Sequence, residues 1–130
     1  MIEAKAEWKT NYQVGVRVRQ FEVNTDEPPK YKGEDTGMMP TELFISSLAS
    51  CFCLALVFVA KKYNIKINDM KVSVSAEADK ANCRYKSINV KVMSSLSESK
   101  LEELIEQAKK YCYVTNTISK PFTIEYEIGD

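Results

Sequence analysis

The chain has 130 residues, of which 45% are hydrophobic and 28% charged, a composition typical of a globular protein with its own core. We therefore expect a single domain over residues 1–130. Eighteen basic residues balance eighteen acidic ones, so no net charge attracts nucleic acid or an anionic membrane surface. Neither is expected as a partner.

The first forty residues predict strands followed by a loop. Apolar and polar residues alternate loosely between residues 2 and 23, which is typical of strands with one buried face, and the pair Thr10-Asn11 favours a hairpin turn. Residues 25–40 contain three of the four prolines and two of the four glycines, which predicts a loop. The N-terminal residues MIEAKAEWK carry charges where a signal peptide needs an apolar core, so we expect a cytoplasmic protein.

A long apolar helix is predicted next. Residues 43–60 carry no charge, Thr41 and Glu42 before them suit an N-cap and the positive end of the helix dipole, and two lysines after them suit its other end. The length is also compatible with a membrane span. Three serines, two cysteines and the neighbouring amphipathic strands favour a buried helix instead.

The need to bury this helix on all sides predicts that the chain assembles with a second copy of itself. One sheet of so short a chain cannot cover a helix that is apolar on every side. A second copy is therefore expected to cover the remaining side, which predicts an intimate homodimer.

The second half predicts two strands, a helix and a last strand. Apolar positions alternate around residues 72–74 and 88–92. The helix that follows has Ser97 or Ser99 as its N-cap, the latter in a capping box with Glu102, and its apolar face ends with Cys112. Residues 122–128, FTIEYEI, predict the last strand. Strands, long helix, strands, helix and strand make an α+β protein.

Four cysteines are the candidates for chemistry: Cys51, Cys53, Cys83 and Cys112. The chain has no C-x-x-C spacing and no histidine, so we expect no metal and no catalytic pair with histidine. On a helix Cys51 and Cys53 lie about 200° apart and cannot pair with each other. Two interpretations stay open: both are small core residues, or one is reactive and Cys112 is its partner thiol.

Two sequence blocks resemble the OsmC/Ohr family, named after osmotically inducible protein C and the organic hydroperoxide resistance protein. The block GMMPTELFISSLASCF, residues 37–52, is similar to the family signature, in which a Pro-x-Glu-Leu helix start leads through small residues to a cysteine. The block LEELIEQAKKYCYVT, residues 101–115, resembles the family's second helix, which ends in Cys-Pro-Val-Ser. The loop DEPPKYKGEDTG is also similar, and the strand order fits along nearly the whole chain.

The resemblance implies an OsmC-like fold, with a mixed or antiparallel sheet packed on a long central helix in an intertwined homodimer. It implies a cofactor-free stress-response peroxidase that reduces organic hydroperoxides to alcohols and is restored by a dithiol reductant. By the match, Cys51 is the reactive cysteine and Cys112 the resolving one, which forms a disulfide with it. Cys53 and Cys83 have no family counterpart and are expected to be structural.

The acid of the family's site is matched only in part. Glu42 follows the Pro-x-Glu-Leu pattern and is the candidate, but the Ohr branch has its working acid one position earlier, where this chain has Thr41. Helix geometry places Glu42 about 13.5 Å along the axis from Cys51. A role for Glu42 would therefore run through a bridging cation or the partner subunit.

The cation of the family's site is also changed. Lys30 or Lys32 stands roughly where the OsmC branch has an arginine, and a lysine cannot make the same bidentate contact. Tyr113 follows Cys112 where the family has proline. A second hypothesis therefore stays open, a non-catalytic OsmC-like dimer that binds a small apolar ligand.

An apolar pocket is expected around the reactive cysteine. Phe44, Leu48 and Phe52, with neighbours from the partner chain, are the predicted walls. Such walls favour a lipid-like or aromatic hydroperoxide over hydrogen peroxide.

Overall fold

The computed structural model describes residues 1–129. It divides into two compact units, one formed by Met1–Ile45 and the other by the chain from Ser46 onward. Five strands, three α-helices and two short 3-10 helices follow one another in these residues, and the paired strands are antiparallel. The predicted α+β class is confirmed, whereas the expected single domain stays a prediction.

The first unit contains a three-stranded sheet in the order β1 (Lys5–Thr10), β2 (Gln13–Val18) and β3 (Phe21–Thr25). The predicted turn after Thr10 is confirmed, and Asn11 takes a left-handed conformation there, which asparagine tolerates better than most residues. The pairing register puts apolar residues on one face of the sheet and charged ones on the other. The apolar face carries Ala6, Trp8, Val14, Val16, Val18, Phe21 and Val23.

One buried carboxylate organises the loop that follows β3. Asp26 is fully buried and accepts hydrogen bonds from the backbone N–H of Glu27 at 2.7 Å, of Thr36 at 3.0 Å and of Glu34 at 3.3 Å. The hydroxyl of Thr36 donates a further bond at 2.7 Å. A buried charge needs such partners to offset the loss of water. The loop leading to the first helix is therefore an ordered structure.

The long helix α1 (Pro40–Lys62) ends at the predicted pair of lysines and begins at Pro40. Proline at the first helical position already has the required φ angle, and the carboxylate of Glu42 accepts the backbone N–H of Met39 at 2.8 Å. Glu42 thus satisfies one of the donors that a helix start leaves without an intrahelical partner. The prediction of Thr41 as the N-cap is wrong, because Thr41 lies inside the helix and Met39 precedes it.

The second unit has one hydrophobic core built on α1. Sheet β4 (Lys71–Asp79) with β5 (Arg84–Met93) packs against it through apolar side chains of one face, and α2 (Glu98–Ala108) supplies further core residues. The buried cluster consists of Phe52, Ala55, Leu56, Val59, Ala60, Leu104, Ala108 and Cys112.

One stripe of α1 stays outside this core. Leu54 is 69% exposed and Phe58 50% exposed, so the expected burial of the whole circumference is not reached within this chain. By length and composition α1 could also cross a membrane, with a mean hydropathy of 2.5 over its most apolar window. Buried core helices satisfy the same criterion, and α1 supplies five of the eight residues of the buried cluster.

The C-terminal helices differ from the prediction. Ser97 is the N-cap of α2 and accepts the backbone N–H of Lys100 at 3.4 Å, so the alternative capping box of Ser99 with Glu102 is wrong. A short third helix, α3 (Tyr113–Ile118), follows and was not predicted. Cys112 lies just before α3 and, as predicted, is buried.

The predicted last strand is wrong for the single chain. Residues 121–129 form neither strand nor helix, and the apolar residues of this segment, from Phe122 at 59% to Ile128 at 101%, are exposed. A strand needs a neighbouring strand for its backbone hydrogen bonds. Alternation in the sequence predicts a strand but does not supply that neighbour.

Candidate thiol site

Cys51 lies half-buried in an apolar groove of about 280 Å³. One wall comes from α1, because residues three, four and seven positions after Cys51 lie on the same helix face. The other wall comes from Tyr111, in the turn after α2, and Tyr113, the first residue of α3. The lining residues are Cys51, Leu54, Ala55, Phe58, Tyr111 and Tyr113.

Cys112 belongs to the same part of the molecule. It lies between the two tyrosines of the groove wall, and it is fully buried in the core cluster against which Cys51 packs. Its carbonyl accepts the backbone N–H of Asn116 at 3.0 Å, which fixes the start of α3. The structure therefore brings Cys51 next to the segment that carries Cys112, and both thiols are free.

The other two cysteines lie elsewhere. The Cys53 thiol points to the backbone carbonyl of Met70, 3.9 Å away, and Cys53 is not among the residues of the groove. Cys83 is exposed in the turn between β4 and β5. Cys51 and Cys53 thus face different surroundings, as their helical spacing predicts. Among residues 1–129, no group of three or more Cys, Asp or Glu side chains could hold a metal ion.

The candidate charged residues lie in the first unit. Glu42 binds the backbone at the start of α1. The ammonium of Lys30 lies 5.0 Å from the ring centre of Tyr31, and the carbonyl of Lys32 accepts the side-chain amide of Asn11 at 3.1 Å. Roles of Glu42, Lys30 and Lys32 in chemistry stay predictions.

The predicted pocket walls are not those of the groove. Leu48 and Phe52 are buried, at 1% and 5% exposure, and neither they nor Phe44 line the groove. Phe52 is the next residue after Cys51, and successive helix residues are rotated by about 100°. Phe52 is close to Cys51 in sequence, but the helix turns its side chain toward the core and away from the groove.

Sequence reasoning missed the polar pair beside the groove. The ammonium of Lys62 donates a hydrogen bond to the hydroxyl of Tyr111 at 2.7 Å, and the Tyr111 ring meets Phe58 edge to face at 5.0 Å. The hydrogen bond from Lys62, followed by the positive charge of Lys62, lowers the pKa of Tyr111. The same bond raises the pKa of Lys62. No local pattern links Lys62 at the end of α1 with Tyr111 in the turn after α2, so only the fold reveals the pair.

An α+β protein with one thiol in an apolar groove and another buried beside it is a candidate thiol-redox protein. The family model for OsmC-like protein matches residues 33–127. The chain therefore belongs to the OsmC-like family, and the predicted resemblance is confirmed.

Known relatives agree with this membership. The chain is 27% identical over 117 residues to the organic hydroperoxide resistance protein OhrA of Bacillus subtilis, covering 88% of this chain and 83% of that protein. It is 34% identical over 83 residues to an uncharacterized protein of Methanocaldococcus jannaschii, covering 62% of this chain. The chain spans only 44% of the length of that second relative.

Solved structures show the fold. The crystal structure of an OsmC-like protein from Mycoplasma pneumoniae superposes with a TM-score of 0.77 at 22% identity, over 92% of this chain and 87% of that one. The OsmC-like fold is thus confirmed for the chain.

Proposed function

We propose that this protein is a cytoplasmic thiol-dependent peroxidase that reduces organic hydroperoxides to alcohols. The observation that carries the proposal is the position of Cys51 in an apolar groove whose second wall is formed by Tyr111 and Tyr113, the residues on either side of the buried Cys112. The organic hydroperoxide resistance protein among the relatives supports the same chemistry.

The proposed reaction uses only the two thiols and an external dithiol. The Cys51 thiolate attacks the terminal oxygen of the hydroperoxide, the O–O bond breaks, and the leaving alkoxide takes a proton to become the alcohol. The resulting sulfenic acid condenses with the Cys112 thiol, which forms a disulfide and releases water. A dithiol then reduces the disulfide by exchange and is itself oxidised.

The groove favours organic over inorganic peroxide. None of its lining residues carries a charge, and they are mostly aliphatic and aromatic. A volume of about 280 Å³ suits a small organic molecule. Alkyl and aryl hydroperoxides gain from contact with such walls, whereas hydrogen peroxide has no apolar part to bury.

We propose in addition that the working form is a homodimer. Leu54 and Phe58 leave an apolar stripe of α1 exposed beside the thiol, and exposed apolar patches mark interaction surfaces. The tail, residues 122–128, has the alternation of a strand but no strand partner within the described chain. A second copy that covers the stripe and pairs with the tail would bury both features.

Peroxidase turnover tests the first proposal. Cumene hydroperoxide with dithiothreitol is the assay for the wild type, Cys51→Ser and Cys112→Ser, with Cys53→Ser as the matched control on the same helix. We expect Cys51→Ser to abolish turnover and Cys53→Ser to retain it. Cys112→Ser should complete one reduction and then accumulate over-oxidised Cys51. Mass spectrometry should find a Cys51–Cys112 disulfide only when both cysteines are present.

The oligomeric state tests the second proposal. Sedimentation equilibrium of the wild type should give twice the mass of the chain, and Leu54→Asp should shift the mass toward the monomer because it places a charge in the buried interface. Ser73→Asp adds the same charge on exposed β4 and should not. A monomeric wild type would overturn the proposal.

The second candidate function is a non-catalytic dimer that binds a small apolar ligand. The uncharged lining of the groove favours this function, because no cation lines the groove to stabilise a Cys51 thiolate. Wild-type protein that binds cumyl alcohol but does not turn over cumene hydroperoxide would support this function against the first.

A further inference from the structure

A cavity of about 370 Å³ lies where the end of α1 meets α2, apart from the thiol groove. Its lining residues all belong to the second unit, and none of those in the described chain also lines the groove of Cys51. The cavity is lined by Val59, Tyr63, Ile65, Glu103, Leu104 and Gln107. The proposed peroxidase reaction gives no role to these residues.

The backbone at the end of α1 forms one wall of the cavity. Asn64 takes a left-handed conformation, which asparagine tolerates better than most residues. The N–H of Ile65 then donates a hydrogen bond of 2.8 Å to the carbonyl of Ala60. In such a helix end the residue after the left-handed position folds back against the last turn. Ile65 is thereby held beside the end of α1, so this wall is present before any ligand binds.

The interior of the cavity is apolar. Val59 and Leu104 form its floor and are buried in the core, while Ile65 is half-buried and the ring of Tyr63 is half-exposed. An aromatic or aliphatic group that covers Ile65 and Tyr63 removes their apolar surface from water, which favours binding. The volume suits a small organic molecule.

The rim of the cavity is negatively charged. Glu103 and Gln107 are four residues apart on α2 and so lie on one face, and Glu103 is the one charged side chain among the described lining residues. Within residues 1–129 Glu103 forms no ion pair, whereas Glu106 is paired with Lys109 at 2.7 Å. An ionised carboxylate only accepts hydrogen bonds. The rim therefore favours a ligand that donates hydrogen bonds and carries a positive charge.

The lysines close to this region are bonded to other groups. Lys110 donates a hydrogen bond of 3.1 Å to the side-chain oxygen of Gln107. Lys62 lies 5.7 Å from the ring centre of Tyr63 and donates a hydrogen bond of 2.7 Å to the hydroxyl of Tyr111. Neither lysine lines the cavity. A ligand on the apolar floor thus meets a carboxylate and the aromatic ring of Tyr63, and both groups attract cations.

We propose that this cavity binds a small primary amine with an aromatic or aliphatic body. The ammonium group of the ligand pairs with Glu103, and its body lies against Tyr63, Ile65 and the core residues beneath them. This binding function goes beyond the proposed peroxidase and does not depend on it, because the cavity and the thiol groove have separate linings.

Three probes that share a phenyl ring and differ in head-group charge test the site. The probes are 2-phenylethylamine, 2-phenylethanol and phenylacetate, and amide NMR spectra recorded during each titration give both the affinity and the residues affected. We expect the amine to bind about two- to fivefold more tightly than the alcohol, the range of one exposed ionic contact. Phenylacetate should bind most weakly. Added salt should reduce the advantage of the amine, because it screens exposed charges.

Substitutions separate the charge from the apolar walls. Glu103→Gln keeps the shape of the side chain and removes its charge, so it should bring the affinities for the amine and the alcohol together. Glu102→Gln is the matched control, because it removes the same charge from the adjacent exposed position of α2 outside the cavity, and it should keep the preference. Tyr63→Ala removes a wall and should weaken the binding of both probes. Circular dichroism of each variant verifies that the fold is intact.

Three results would overturn the proposal. The first is an equal affinity of the wild type for the amine and the alcohol, or tighter binding of phenylacetate. The second is an equal loss of preference in the Glu102 and Glu103 variants, which would indicate a general effect of net charge. The third is a set of amide shifts centred on the groove of Cys51 in place of the cavity.

Discussion

The hydroxyl of Thr36 donates a hydrogen bond of 2.7 Å to the carboxylate of Asp26, which lies ten residues earlier in the chain. Three backbone N–H groups of the same loop bind this carboxylate as well. The bond from the Thr36 hydroxyl, with these backbone bonds, lowers the pKa of Asp26 although burial opposes the shift. The loop before α1 is thus closed around an ionised side chain.

We predict that Asp26→Asn lowers the stability of the protein at neutral pH and reduces the further loss of stability at acidic pH. A lowered pKa in the folded state means that Asp26 stabilises the fold above the carboxyl's ordinary pKa, and that this contribution is lost as the pH falls through the lowered value. Chemical denaturation at a series of acidic and neutral pH values measures both effects. Asp35→Asn, an exposed neighbour in the same loop, is the control. Equal losses in the two variants would contradict the prediction.

The same loop contains a glycine, Gly33, that should not tolerate a larger residue. A Cβ atom at Gly33 would overlap the backbone carbonyl of Glu27, and a backbone atom cannot move aside as a flexible side chain can. Gly33→Ala should therefore cost about 1–3 kcal/mol of unfolding free energy, the range for an overpacked site. Gly129→Ala, which meets nothing within 4 Å, should be neutral in the same denaturation experiment. An alanine at 33 that leaves stability unchanged would refute this.

Local patterns were sufficient to predict the regular elements. The uncharged run between Glu42 and Lys61 predicted α1 and its end at the lysines, although the helix begins at Pro40, before the predicted cap Thr41, and alternating residues predicted the strands that pair within the chain. These features depend on neighbours in sequence, through helix periodicity and tight turns. Helical spacing also predicted that Cys112 is buried at the end of the second helix; the burial is confirmed, but α2 ends at Ala108 and Cys112 lies in extended conformation after it.

Features that depend on distant partners could not be predicted in this way. The segment from Phe122 to Ile128 has strand alternation but lacks a strand to pair with in the described chain. Tyr111 enters the groove wall because a turn separates α2 from α3, and Lys62 binds it across the packed elements. Neither contact leaves a periodic signal, so the polar part of the candidate site required the structure.

Two leucines of α1 should respond differently to truncation. Leu56 is fully buried in the core, whereas Leu54 is 69% exposed. We predict that Leu56→Ala lowers the unfolding free energy by about 2–5 kcal/mol through the lost contacts and the cavity left behind. Leu54→Ala should cost under about 1 kcal/mol when it is measured at a protein concentration at which the chain is monomeric. Chemical denaturation at low protein concentration gives the unfolding free energy of both variants. A larger loss for Leu54→Ala than for Leu56→Ala would contradict the assigned core.

The four thiols should differ in their rate of alkylation. We predict that iodoacetamide modifies exposed Cys83 first and fully buried Cys112 last, because a buried thiol reacts only when the surrounding structure opens. Peptide mass spectrometry over a time course gives each rate, and Cys83→Ser, which removes the fast phase, is the control. In denaturant all four sites should react alike.

Brief treatment with cumene hydroperoxide extends the alkylation experiment to the proposed chemistry. Oxidation to a Cys51–Cys112 disulfide should remove both residues from later alkylation in denaturant, while Cys53 and Cys83 stay available. Dithiothreitol should restore both lost sites, because exchange reduces the disulfide. Loss of Cys83 or Cys53 in place of the pair would mean that exposure, and not the groove, directs the oxidant, and would remove the basis for assigning Cys51 as the reactive cysteine.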